Sequence, residues 1–412
     1  MSWRMAMALF RRAQFEPRSY LASALLVALC FLMVTGCASL GRLPSVPPPE
    51  TAKAQPLGLA NARFFPLKQR DEIIAEGEQA LERQRQAMGL PPGAQLPAAQ
   101  FLAISGGGDD GAFGSGVLVG WTEAGDRPEF DMVTGVSTGA LIAPFAFLGP
   151  AYDRQLRDVY TTISESDILI RRGLLGGILS DALSDTTPLE ALIARFFDAP
   201  MMEAVAREYG RGRLLLIGTT NLDAEQPTIW NIGAIAASGH PDALELIRRI
   251  LRASSAVPGY FQPVMIDVIL NGQRYQELHV DGGAIAQIFL YPANIELNRF
   301  VSRDREAFLI RNAREAPDWA NVQRRTLSIG GRAISAMLRS SGANDLARIY
   351  FVTQRDDVDY NLAYIESDFT TPHPRDNFNP AYMTALFNYG YQKARQGYPW
   401  RKTPPLLAAL EQ

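Results

Sequence analysis

Cysteine is nearly missing from this chain of 412 residues: only Cys30 and Cys37 occur, both within the first 40 positions. The rest of the sequence therefore forms no disulfide, supplies no thiolate to a metal and offers no Cys nucleophile. Histidine is scarce too, and His240, His279 and His373 stand far apart without Cys partners, which argues against a zinc site. No excess of one charge exists either, since 40 basic and 43 acidic side chains leave a net charge of -3. That balance gives no electrostatic footprint for nucleic acid, and no acidic tract marks a disordered tail. What is present is ordinary globular composition, 47% hydrophobic, in a chain long enough for one to three domains.

The N-terminal 36 residues stand apart. Met1 to Tyr20 carries Arg4, Arg11, Arg12 and Arg18 against the single acid Glu16, and Leu21 to Val34 follows as fourteen uncharged residues. That run is short of the roughly 20 apolar residues of a spanning helix. A basic segment, a short apolar one and then small residues is secretory signal architecture; an anchor helix or a buried helix is the competing reading. Val34-Thr35-Gly36-Cys37-Ala38-Ser39 resembles the lipobox of bacterial lipoproteins. The resemblance implies cleavage before Cys37, acylation of its thiol and, because Ala38 rather than Asp follows, a place in the cell envelope at the outer membrane. Without residues 1–36 the chain carries 36 basic and 42 acidic side chains, so attachment would rest on lipid rather than charge. Residues 37–60 read as an extended tether around Pro47-Pro48-Pro49, without a core of its own. Residues 61–97 read as a helical extension, with a helix over Asp71 to Met88 stopped by Pro91, Pro92 and Pro97.

Chemistry concentrates after residue 98. Phe130 to Thr134 reads as a buried strand, Gly135-Val136-Ser137-Thr138-Gly139 follows, and an apolar helix begins at Ala140. Strand, Gly-x-Ser-x-Gly, helix is the setting of a nucleophile elbow, in which a sharp turn lifts the serine hydroxyl to a helix N-terminus. An ordinary turn is the alternative. Upstream, the strand Phe101 to Ile104 runs into Ser105-Gly106-Gly107-Gly108-Asp109-Asp110-Gly111. Three successive glycines bring backbone N–H groups close to an anion. The run lacks the Lys-Ser/Thr pair of a phosphate loop, and two adjacent acids would repel a phosphate, so an oxyanion hole is the better reading.

Further on, Leu214 to Thr220 reads as a central strand and Gln226 to Trp230 as a short neighbour. Helices are expected over Tyr152 to Ile163, from Pro188 onward, over Pro241 to Ala253, Gln323 to Arg339 and Tyr382 to Arg395. Val264 to Leu270, Asn271-Gly272 and Gln273 to Val280 form a hairpin pattern that delivers Asp281-Gly282-Gly283 at a strand end. A carboxylate there is a candidate base, with a turn-forming Asp as the default. Phe308 to Ile310 and Ala347 to Thr353 are further apolar segments, and Glu366 to Asn379 reads as a surface loop. The pattern indicates an α/β layer fold.

Taken together and in this order, the Gly106–Gly111 run, Gly135–Gly139 and Asp281-Gly282-Gly283 resemble the patatin-like lipid acyl hydrolases. Ser180 to Leu189 and Ala253 to Phe261 share the resemblance, which spans residues 98–395 and leaves 396–412 as a tail. It implies a three-layer α/β/α fold with a central, mostly parallel sheet. It also implies a Ser137–Asp281 dyad, an oxyanion hole at Gly107 and Gly108, and hydrolysis of membrane-lipid esters without a metal or other cofactor. Asp110 departs from the family, which often has Arg or Lys there, and this weakens any reading in which phosphate selects the substrate. A neutral-ester or lysophospholipid esterase, or a catalytically silent envelope lipoprotein that binds lipid or a partner, are the competing functions. Among the histidines, His373 is expected on the surface, His279 packed or beside the site, and His240 at a helix start. Leu174 to Leu179 reads as a lid or a buried connection.

Overall fold

The computed structural model describes residues 41–171, 182–315, 319, 321–374 and 376–408. The lipobox, Cys37 and the Leu174–Leu179 stretch lie outside the described residues. No described helix is long and apolar enough to cross a membrane.

Strands β1 (Arg63–Phe64), β2 (Ala99–Ile104), β3 (Met132–Val136), β4 (Leu214–Asn221) and β5 (Gln226–Asn231) join β6 (Val264–Leu270), β7 (Gln273–Asp281), β8 (Arg305–Arg314) and β9 (Val358–Ile365) in one nine-stranded sheet. Its centre, β9-β8-β2-β3-β4, is parallel throughout. Antiparallel β1, β5, β6 and β7 extend it beyond β4. Period-two alternation sorts each central strand between two cores. Leu102, Ile104, Phe308 and Ile310 enter the larger one, and Phe101, Ala103, Ala307 and Leu309 the smaller. The sheet is thus the middle of three layers, as expected.

The helices among the described residues are α1 (Arg70–Ala87), α2 (Gly111–Ala124), α3 (Thr138–Leu148), α4 (Asp153–Thr162), α5 (Thr187–Phe196), α6 (Ala199–Gly210), α7 (Ile232–Ala237), α8 (Ala243–Ser254), α9 (Thr326–Arg355), α10 (Pro380–Arg395) and the short α11 (Pro405–Ala408). Helices α2 and α10 cross closely because glycines line the contact. A Cβ on Gly116 would stand 2.1 Å from the Phe387 carbonyl oxygen, and one on Gly120 2.2 Å from that of Tyr391.

Two expectations change. Ala347 to Thr353 is not a separate apolar segment but the end of α9, and the last parallel strand lies beyond it at Val358–Ile365. Nor is the proline-rich stretch coreless. Val46 and Ala54 pack with Val268 and Leu270 of the hairpin, and Gln55 bridges to Ile269. The hairpin's outer face needs an apolar cover, and these residues provide it.

Candidate active site

Strand β4 assembles the site along one edge. Over its first half that edge pairs with β3 and ends at Val136 opposite Gly218; the next β4 residue, Thr219, pairs with Asp281 of β7. Two strands arriving from opposite directions therefore abut, and Ser137 comes to rest beside Asp281. The Ser137 hydroxyl is near enough to the Asp281 carboxyl to favour its ionised form.

The turn at Ser137 is the sharp one foreseen. Its φ of 55° and ψ of -126° lie in a region that side-chain-bearing residues seldom occupy, so the surroundings must hold it. Two glycines make room. A Cβ on Gly135 would meet the Gly139 carbonyl oxygen at 2.4 Å, and one on Gly139 the Ile104 oxygen at 2.3 Å. Ser254, fully buried at the end of α8, is a staple that sequence reasoning did not single out. Its Oγ accepts from the Ser137 N–H at 3.0 Å and donates to the Gly218 carbonyl at 2.7 Å.

Asp281 is 4% exposed, and burial pushes its carboxyl up to about 6 against the Ser137 hydroxyl and a hydrogen bond from the Gly283 N–H. The Gly283 bond is 2.7 Å. Gly282 is required by crowding, since a Cβ would stand 2.6 Å from the Gly218 oxygen. Gln287 joins this turn to the glycine run. Its Nε2 donates to the Gly283 oxygen at 2.8 Å, and its own carbonyl accepts from the Gly106 N–H at 3.0 Å.

The glycine run is held just as tightly. Asn312, buried near the end of β8, donates from its backbone to Ser105 Oγ and from Nδ2 to the Ser105 oxygen, while its Oδ1 accepts from the Gly114 N–H. Its carbonyl lies so near Gly107 that a Cβ there would be 2.0 Å away. Gly111 is likewise packed against Thr138. The N–H groups of Gly107 and Gly108 find no acceptor among the described residues and stand at the surface of the loop beside Ser137.

The two acids of the run turn away from any phosphate role. Asp109 takes the His373 Nε2 at 3.1 Å and the Phe378 N–H at 3.0 Å, and Asp110 takes the Tyr382 hydroxyl at 2.7 Å. The bond to Asp109 pushes the His373 imidazole up to about 9 despite its partial burial, whereas burial and the neighbouring Asp109 push Asp110 up to about 6. His373 is a surface residue, as expected, but it ties the 366–379 loop to the glycine run. One oxygen or nitrogen of each of these three residues lies within 4.8 Å of the others, and all three are spent on internal hydrogen bonds. His279 is fully buried between Thr219 and Glu277, and His240 accepts from Asp242 at the start of α8.

Over Ser137 opens a cleft of about 290 Å³ lined by Leu141, Ile168, Leu189, Val257, Phe261 and Phe378. Leu141 and Leu189 also border an adjoining apolar space formed with Phe145, Phe196 and Met201. A nucleophile in a strained turn, a desolvated carboxylate, paired donors and an apolar approach suit attack on an ester that carries an alkyl chain.

The family model for patatin-like phospholipase matches residues 102–294. Among solved structures, the chain resembles VipD from Legionella pneumophila at 11% identity and a TM-score of 0.36, covering 76% of this chain and 73% of that one. It also resembles human GIVD cytosolic phospholipase A2, at 10% identity and a TM-score of 0.26, covering 69% of this chain and about half (52%) of that one. Likenesses this distant carry no functional weight. Comparison with curated proteins finds no match. The family match and the parallel-sheet architecture agree: residues 102–294 carry a patatin-like phospholipase domain, which at the level of that family is a lipid acyl hydrolase.

Proposed function

We propose that the protein hydrolyses carboxylic esters of membrane lipids through an acyl-serine intermediate on Ser137. The observation that carries this reading is the register of β4, which sets Ser137 beside the buried carboxylate of Asp281. Asp281 accepts the Ser137 proton as Oγ bonds to the acyl carbonyl carbon. The N–H groups of Gly107 and Gly108 receive the oxyanion, and the N-terminus of α3 adds to the favourable field. The leaving alcohol takes the proton from Asp281. A water then gives its proton to Asp281 and attacks the acyl carbon; Ser137 recovers the proton as the fatty acid departs.

The acyl chain runs past Leu141 and Leu189 toward Phe145 and Phe196. The described cleft lining contains no Lys or Arg, which favours selection by the acyl chain over selection by a phosphate. Lysophospholipids and neutral esters are then substrates alongside diacyl phospholipids. The sequence around Cys37 supports a further part of the reading, attachment to the bacterial envelope through an acylated thiol at the outer membrane. Radiolabelled palmitate should enter the wild-type protein and not a Cys37→Ala variant.

An alkyl fluorophosphonate tests the chemistry directly. It should label the wild-type protein once, at Ser137, and leave Ser137→Ala untouched, while lipid profiling shows fatty acid released by the former alone. Full labelling of the Ala variant, or hydrolysis that survives it, would overturn the dyad; a wild-type protein that neither labels nor hydrolyses would be a silent lipid-binding lipoprotein.

A further inference from the structure

On the sheet face opposite α3 lies a second apolar space that shares no residue with the cleft over Ser137. Its floor is Phe101, Met132, Leu214 and Leu216 from the ends of β2, β3 and β4 where those strands begin. One wall is α1 and the other the 289–301 segment, with Leu297, Phe300 and Val301. It encloses about 170 Å³, an order of magnitude above the roughly 10–15 Å³ that a single water needs.

Helix α1 faces this trough in an unusual way. Its polar Glu76 and Gln84 are buried by hydrogen bonds, to Arg83 and Tyr209 and to Asp131 and Arg303, whereas Ile73, Ile74 and Leu81 line the trough only half-covered. Gly77 sits mid-helix on the same wall, where a Cβ would meet nothing within 4 Å. A glycine there costs about 1 kcal/mol of helix propensity and leaves the trough wider.

At one end stands Arg303, which is partly buried and has Gln84 Oε1 as its hydrogen-bond acceptor at 2.8 Å. It makes no ion pair among the described residues. The neighbouring acids have hydrogen-bond donors of their own: Asp131 accepts from Gln84 and the Gln100 N–H, and Glu76 from Arg83 and Tyr209, while Glu78 is an exposed residue of the lining. Nearby Arg305 is satisfied by Asn298 and the carbonyls of Leu297 and Val301. The Asp131 charge reaches Arg303, but Arg305 and Arg85 set like charge against it, so an arriving anion relieves the cost of drawing this guanidinium from water.

We propose that this trough binds a free fatty acid, with the alkyl chain between α1 and the 297–301 segment and the carboxylate on Arg303. The inference does not rest on the role of Ser137. The class of ligand follows from the arginines gathered at one end, Arg303 and Arg305, of a channel whose floor and walls are mainly apolar, with a width left open at Gly77.

Purified full-length protein carrying Ser137→Ala is irradiated with a diazirine-bearing palmitic acid, and adducts are mapped by peptide mass spectrometry. Adducts are expected on the Ile73–Leu81 and Leu297–Val301 peptides, whatever labelling the cleft also takes. Gly77→Phe, which fills the trough without a clash, should abolish those adducts with no loss of thermal stability. Arg303→Gln should weaken trough labelling by the acid about ten-fold, the loss of one charge-assisted hydrogen bond, and leave labelling by the matching diazirine alcohol unchanged. Labelling confined to the cleft peptides, trough labelling that survives Gly77→Phe, or equal effects of Arg303→Gln on acid and alcohol would each overturn the proposal.

Discussion

Glu277 and Asp281 stand on the same strand, both buried, and they ionise in opposite senses. Burial alone would raise either carboxyl. At Glu277 the Arg63 guanidinium and the His279 ring outweigh it and hold the group down to about 2. At Asp281 only the Ser137 hydroxyl and the Gly283 N–H oppose burial, and the carboxyl is pushed up to about 6. His279 between them does not supply the missing cation, because burial depresses its own pKa. An acid with a buried cation is a structural tie; the same chemistry without one is a base tuned for proton transfer. The first fastens the hairpin to β1, and the second is the base of the proposed mechanism.

The widest separation between the two regions should come from Ser137→Ala. Turnover of a soluble ester should fall at least about a thousand-fold with the thermal midpoint undiminished. Asp281→Asn should follow, with a rate loss of about 10²–10⁴-fold. It should also raise the thermal midpoint at pH 8. The native carboxyl titrates at about 6, above its ordinary value of 3.8, so the wild-type fold loses stability as pH climbs between those values and stays at that loss above them. The gain from Asn should therefore vanish near pH 4. A lower midpoint at pH 8 would show that ionised Asp281 supports the fold.

Arg63→Gln inverts the other half of the comparison. It strands Glu277 as an uncompensated buried charge and should cost about 3–5 kcal/mol in denaturant unfolding at pH 7. Adding Glu277→Gln should restore most of that loss, and a double variant no more stable than the single one would break the contrast. The wild-type tie works in the opposite pH sense to Asp281: its contribution is full above 4.5 and is lost as pH falls toward 2. The smallest effect is the pH profile of kcat/KM, which should climb about ten-fold per pH unit below 6 and level off above it. A limb centred near 4 would mean that Asp281 is not the titrating base.

Much of this is legible in the sequence. Local steric demands announce themselves, so Gly135, Ser137 and Gly139 marked the sharp turn, Asn271-Gly272 marked the hairpin, and Asp281 fell at its strand end. Residues that act only through distant partners gave no local sign. Ser254, Gln287 and Asn312 each satisfy backbone groups far away in sequence, and nothing near them distinguishes such a polar side chain from a solvated one. Strand β9 is masked in the sequence because Asp356 and Asp357 precede it and Asp359 and Asn361 interrupt its apolar residues, while the more continuous Ala347–Thr353 run belongs to the preceding helix. Asp110, puzzling as a departure in an anion-binding loop, is explained by its burial under Tyr382 rather than in the cleft.

By itself the chain's order of residues settled the periodicities, the turn chemistry and the residue types available for nucleophile, base and oxyanion donors, because each depends on neighbours within a few positions. Only tertiary structure decided that Val136 and Asp281 would pair with consecutive residues of β4, and that one buried acid would receive an arginine and the other none. Proton affinity in a protein interior depends on which charges are folded nearby and how much water is excluded, and neither is a local property of the chain.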